Sequence, residues 1–331
     1  MIDVQLVLNL GIIGYRKHAG KLISFIEKRE NCKINFIYHP TKQLEDSRFT
    51  NNFSDLFSCD AVIISSPNQT HFEYIEKLTK NFDGYIFCEK PPVSNINELN
   101  KLKKLKINKK RKIFFNFNYR FSELDKLLQK YSNSKQLGQI VKIEIVASQG
   151  LAFKKEYIGS WRSNGTKNKH ILLDTVSIHY LDLIIKNFGT AKNQFYFPKI
   201  ISKNGTSYDT SHLLFEYKNF NISIMNSYAT PFLGELSIIG TNGYLMIKNN
   251  TLEIRSPRNT FDKNNLFITP PIILRKKFNM QQDHSTSLKK SIEFFISHVT
   301  QKIPFKNELF ETSIRTTDLL LKIKKVVKKN E

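Results

Sequence analysis

The sequence predicts an α/β fold in two parts: a doubly wound parallel sheet over residues 1–118, then an α/β domain over residues 119–331 with an open, mostly antiparallel sheet. Three observations carry this reading. From Val7 to about Phe117, short apolar runs alternate with stretches of helical periodicity, the pattern of βαβ units. After residue 140, strand-like runs follow one another across short polar turns such as Lys218-Asn219 and Gly240-Thr241-Asn242-Gly243. A length of 331 residues also exceeds what one core usually serves.

In the first part, strands are expected at residues 6–13, 34–38, 60–66, 85–88 and 112–118. A helix is expected over 18–28, with Leu22, Ile23, Phe25 and Ile26 inward, and another over 71–80 after a Pro-Asn turn. Between residues 101 and 112, eight of twelve residues are Lys or Arg, but Leu99, Leu102, Leu105 and Ile107 keep helical spacing beneath them. In the second part, strands are expected at 140–148, 213–217, 222–227, 235–239 and 244–248, helices at 171–188, 285–300 and 308–328, and a long loop at 255–277.

The tripeptide Glu89-Lys90-Pro91 directly follows the apolar run Tyr85-Ile86-Phe87-Cys88. A charged pair ending a buried strand lies at the carboxyl edge of the sheet, where open α/β folds bind ligands. A lysine in such a crevice can have its proton affinity lowered toward acid/base use. Proline fixes the direction in which the backbone leaves.

Composition narrows the function. The net charge of +22 admits nucleic acid, yet no recognition motif accompanies it, and the lysines of residues 101–112 read as a solvated helix face. A general positive field favours an anionic small substrate. No apolar stretch approaches a membrane span, and the chain enters a strand too early for a signal peptide. Cys32, Cys59 and Cys88 have no metal-ligand spacing, and their odd number fits reduced thiols in a cytoplasm.

Over essentially its whole length the chain resembles the Gfo/Idh/MocA family of NAD(P)-dependent oxidoreductases. The resemblance is carried by Gly11-Ile12-Ile13-Gly14, Ser66-Pro67-Asn68-Gln69-Thr70-His71, Cys88-Glu89-Lys90-Pro91 and Asn118-Tyr119-Arg120-Phe121. It continues through Leu137-Gly138-Gln139-Ile140, Ser160-Trp161-Arg162, His179-Tyr180-Leu181-Asp182 and Ile239-Gly240-Thr241-Asn242-Gly243. It implies a Rossmann domain, a substrate domain whose sheet often carries an oligomer interface (here a homodimer or homotetramer), and a sugar, sugar acid or nucleotide-activated sugar as substrate. No metal and no nucleic acid are implied.

The resemblance assigns Lys90 to the substrate oxygen beside the nicotinamide, where an ammonium stabilises negative charge. It makes His179 the proton acceptor and Asp174 its acidic partner. Family members place that acid four residues before the histidine; here the separation is five, which turns the carboxylate away unless the helix bulges. The expected cofactor contacts are Gly11, Gly14, Tyr15, Arg16, His39, Ser66, Pro67, Asn68, His71 and Glu89. Arg120, Trp161, Arg162 and Asp182 are the expected substrate contacts. Two departures stand out. Arg16 replaces the central glycine of the phosphate turn, where its side chain crowds the diphosphate or pairs with it. At the end of the second strand His39 stands where NAD sites carry an acid, and with Thr41 and Lys42 it leans toward NADP. A ligand sensor or scaffold without turnover is the alternative to an enzyme, and each residue also has a structural reading: a satisfied core histidine for His179, a surface loop for residues 164–170.

Overall fold

The continuous apolar runs form the strands of a sheet covered on both faces, as parallel sheets require. The computed structural model describes residues 7–15, 17–42 and 45–327 (backbone only at 17 and 327); residues 6, 16 and 328 of the expectations above lie outside them. Chain packing divides into two units, Met1–Asn118 with Leu288–Leu321, and Tyr119–Ser287 with Lys322–Glu331.

In the first unit the chain runs β1 (Leu8–Ile13), α1 (Lys17–Ile26), β2 (Cys32–Tyr38), β3 (Phe49–Thr50), β4 (Ala61–Ile64), α2 (His71–Asn81), β5 (Tyr85–Cys88), α3 (Ile96–Lys103), α4 (Ile107–Lys110) and β6 (Ile113–Phe115). All strands are parallel in the order β3-β2-β1-β4-β5-β6, so the topology reverses beside β1. That is the doubly wound order, with its ligand crevice at the carboxyl ends of the strands. Every residue of β4, β5 and β6 is buried. Asn95 caps α3 by accepting from Glu98 N, and the Glu98 carboxylate accepts from Ser94 N in return.

The lysine-rich stretch is not one helix. Leu99 and Leu102 are buried, whereas Ile107 is exposed and the chain turns between α3 and α4. Its cations find acids within the unit: Lys101 reaches Glu76, Lys103 Asp318, Lys109 Asp83 and Lys110 Glu311.

In the second unit come α5 (Glu123–Tyr131), β7 (Ile140–Ser148), α6 (Gly165–Asn168), α7 (Ile178–Phe188), β8 (Asn193–Lys199), β9 (Thr210–Glu216), β10 (Asn221–Ser227), β11 (Leu233–Gly240), β12 (Tyr244–Lys248), β13 (Thr251–Arg255) and β14 (Ile272–Lys277). They form an eight-stranded sheet in the order β14-β13-β12-β11-β7-β10-β9-β8. Only the β7–β10 pairing is parallel. One face is core (Ile143, Ile145, Phe215, Ile224, Ile238, Ile247), while Val141, Phe195, Phe197 and Met246 stand exposed along alternate positions. The expected loop at 255–277 ends in β14, an edge strand all of whose residues are exposed.

The chain closes with α8 (Met280–Thr300) and α9 (Asn307–Val327). Residues 288–321 belong to the first unit rather than to the second part that was expected to run to the end. The reason is aromatic: Phe295 packs on Phe87 at 5.3 Å, Phe305 on Phe114 at 5.4 Å and Phe310 on Phe115 at 5.4 Å. Among the described residues no helix is long and apolar enough to cross a membrane, and no three His, Cys, Asp or Glu side chains cluster as metal ligands.

Candidate active site

The carboxyl edge of the first sheet begins with Gly14, where the chain turns from β1 toward α1 at φ +97°. A Cβ there would lie 2.9 Å from Ser65 O and from Ser66 Cα, so only glycine lets the ends of β1 and β4 come this close. The first turn of α1 carries no acid. Open backbone at a helix start suits a diphosphate, so the residues present fit a dinucleotide. Gly11 does not share in this: its added Cβ would meet Leu56 Cδ2 at 2.6 Å and Cys59 Sγ at 3.3 Å, so its role is core packing inside β1 and not cofactor contact. Tyr15 is exposed, edge-on to Phe49 at 5.1 Å. Arg16 lies outside the described residues.

After β2, His39 folds its ring back so that Nδ1 accepts from Thr41 N at 3.3 Å and Lys42 N at 3.0 Å. After β4, Ser66, Pro67 and Asn68 form a turn into α2 with Thr70 Oγ1 donating to Ser66 Oγ. His71 departs from the expectation of a cofactor contact. Its side chain is fully buried, with Nδ1 at 2.8 Å from Pro91 O and Nε2 at 2.9 Å from Ser66 O. A neutral ring donates to one of these at a time. Burial drives its proton affinity down, against the pull of both carbonyls. It ties the β4 turn to the residue after Lys90.

Glu89 is anchored within the unit. Its buried carboxylate accepts from His18 Nε2 at 2.8 Å and Asn116 Nδ2 at 2.7 Å. Burial pushes its pKa up, but the charge and hydrogen bond of His18, with the Asn116 amide, outweigh that and leave it at about 2. Lys90 itself is half-buried, beyond a fully buried β5, between an anchored Glu89 and an anchored Pro91.

In the second unit, the five-residue spacing from Asp174 to His179 is absorbed as a bulge. Leu173–Ser177 is a π turn, with Ile178 N bonded to Leu173 O, so the extra residue is taken up within one helical turn. Asp174 is buried, accepts from Asn168 Nδ2 at 2.7 Å and is ion-paired with Lys324 of α9. His179 is 9 % exposed, with its ring tilted against Tyr119 at 5.0 Å and edge-on to His284 at 5.9 Å. Tyr119 and Tyr180 share a hydrogen bond, and burial pushes the Tyr119 phenol up to about 12.

Arg120 and Asp182, expected as substrate contacts, are paired with each other. They bind each other bidentately, Nε to Oδ2 at 2.8 Å and Nη2 to Oδ1 at 2.6 Å, with side chains 4 % and 0 % exposed. Trp161 is different: it is 42 % exposed, with the Arg162 guanidinium over its ring at 4.3 Å. Nearby, Tyr228 shares a hydrogen bond with Thr175 on the π turn and packs with Tyr157. Sequence reasoning missed His18 and Asn116; the only signals were a titratable residue behind the glycine turn and a polar one at the end of a buried strand.

The first unit is a doubly wound α/β fold of Rossmann type, with the Gly14 turn at its carboxyl edge. Residues 8–117, about a third of the chain, match the profile of the Gfo/Idh/MocA oxidoreductase family, described by its NAD-binding Rossmann fold. Its likeness to 2,7-anhydro-N-acetylneuraminate hydratase of Escherichia coli (strain K12) is 31 % identity over 93 residues, 26 % of this chain and only 25 % of the relative's length. Among solved structures, myo-inositol 2-dehydrogenase from Lactobacillus plantarum superimposes with TM-score 0.73 at 15 % identity over 98 % of each chain. Myo-inositol dehydrogenase from Corynebacterium glutamicum gives TM-score 0.71 at 16 % identity, covering 97 % of this chain and 96 % of its own. An oxidoreductase from Agrobacterium radiobacter in complex with NAD+, L-tartaric acid and magnesium gives TM-score 0.71 at 15 % identity, covering 95 % and 94 %. At these identities the structures speak for the fold.

Proposed function

We propose that this chain is an NAD(P)-dependent oxidoreductase acting on a hydroxyl or keto carbon of a sugar, sugar acid or nucleotide-activated sugar. The observation that carries the reading is Lys90, set at the carboxyl edge of β5 between two residues whose own positions are fixed by His18, Asn116 and His71. Such anchoring gives an ammonium a defined place from which to hydrogen-bond a substrate oxygen and stabilise charge there. A nicotinamide cofactor would supply hydride transfer, held at the Gly14 turn and the Ser66–Asn68 turn. His39, Thr41 and Lys42, with no acid at the end of β2, favour NADP over NAD. His179 is assigned the proton, and Trp161 with Arg162 a stacking face with a cation for a sugar carrying an anionic group. The relatives' names, an N-acetylneuraminate derivative and inositols, point to polyhydroxylated substrates.

The test is fluorescence titration with NADH and NADPH, followed by hydride exchange across a panel of sugars and sugar acids. Lys90→Met is expected to lose exchange by at least about a hundredfold while nucleotide affinity stays within about threefold. Exchange that survives in Lys90→Met removes the assignment, and nucleotide binding without exchange in the unaltered protein supports a ligand sensor. We further propose self-association through the outer face of the eight-stranded sheet, where Phe195, Phe197 and Met246 are 40 %, 54 % and 38 % exposed. Light scattering should give a dimer or tetramer; a single-chain mass at micromolar concentration refutes it.

A further inference from the structure

His18 is the second residue of α1, directly behind the turn in which Arg16 replaces a glycine. Its Nε2–H donates to Glu89 Oε1 at 2.8 Å, and that carboxylate is held from its other side by Asn116 Nδ2. Asn116 is in turn fixed by Ser291 Oγ, which donates to Asn116 Oδ1 at 2.8 Å. This buried chain of bonds ends in a ring that is 47 % exposed. The tautomer is therefore set from below: Nε2 is committed to the carboxylate, and Nδ1 is the other nitrogen. Neutral, the ring offers a lone pair at Nδ1, which repels a phosphate oxygen; protonated, it offers an N–H and a positive charge.

We propose that His18 is a cofactor-binding residue whose protonated Nδ1–H donates to the diphosphate of the dinucleotide, with Glu89 and Asn116 as its positioning residues, so that affinity for the cofactor falls as His18 loses its proton. The inference rests on the reading that the turn after β1 binds a dinucleotide. The charged groups facing the ring are Glu89 and Lys90 from the end of β5 and Lys21 from α1 itself. Glu89 raises the proton affinity of His18; burial, Lys90 and Lys21 lower it; the balance lies above the ordinary 6.5. A raised value means the donor is present below the ordinary histidine range and is lost as pH climbs through the folded-state value.

The probe is NADH, because the 2′-phosphate of NADPH titrates near pH 6 on its own account. Its dissociation constant is measured by fluorescence between about pH 6 and pH 9 for the unaltered protein, His18→Gln and Glu89→Gln. The unaltered protein should weaken about tenfold across this range, the worth of one charge-assisted hydrogen bond. His18→Gln should be weak and flat. In Glu89→Gln the midpoint should move to lower pH, and the His18 ring signals in NMR should follow the same midpoint. His18→Gln binding with unaltered affinity and pH profile overturns the inference while leaving the dinucleotide reading standing, as does an unmoved midpoint in Glu89→Gln. Absence of binding of both NADH and NADPH by the unaltered protein at every pH overturns the dinucleotide reading and this inference together.

Discussion

Replacing Arg120 with leucine separates a structural role from a ligand-binding one. The Asp182 carboxylate has no exposed side-chain surface and loses two hydrogen bonds, of 2.8 and 2.6 Å, when the guanidinium goes. Taking one member from a buried ion pair typically costs about 3–5 kcal/mol, because the other charge stays out of water. For a folding unit of this size each kcal/mol is worth about 2–4 °C, so thermal unfolding should fall by roughly 6–20 °C. The companion variant Arg120→Leu with Asp182→Leu replaces both charges by apolar groups and should recover at least half of the loss. Urea unfolding followed by tyrosine fluorescence measures both. A single-variant cost below about 1 kcal/mol, the range of exposed pairs, refutes the reasoning. So does a double variant no more stable than the single one.

Gly14→Ala forces a Cβ to within 2.9 Å of Ser65 O at a positive φ, so NADH binding should weaken by more than about tenfold with the fold retained by circular dichroism. Glu89 has a folded pKa of about 2 against an ordinary 4.5, so its stabilisation is full above pH 4.5 and lost as pH falls toward 2. The gap in unfolding free energy between the unaltered protein and Glu89→Gln should accordingly be about 1–3 kcal/mol at neutral pH and vanish near pH 2; a gap independent of pH contradicts the pairing.

The parts of the fold legible in the sequence were those whose physics is local. β4 and β5 are runs buried on both faces, and such runs carry their own signal. β14 carries none, because an edge strand exposed on both sides has no alternation to read. The basic stretch kept helical spacing through Leu105 although the chain turns there, since periodicity does not register a missing hydrogen bond. The return of residues 288–321 to the first unit depends on Phe295, Phe305 and Phe310 meeting partners some two hundred residues earlier, which linear order conceals. In the candidate site, Glu89-Lys90-Pro91 was visible as a motif, but the roles of its neighbours were not. Nothing in a string of letters shows that Glu89 and His71 are held by His18, Asn116 and the backbone carbonyls of Ser66 and Pro91. Arg120 and Asp182, sixty-two positions apart, satisfy each other. The five-residue interval before His179 did announce an irregularity, and the π turn is its form.

The pairing of Lys324 with Asp174 has a practical side. Lys324, on the last helix, supplies a counter-ion to a buried acid, so that face of α9 is not a neutral place to substitute. Removing the Lys324 ammonium takes a cation from the very turn that precedes His179.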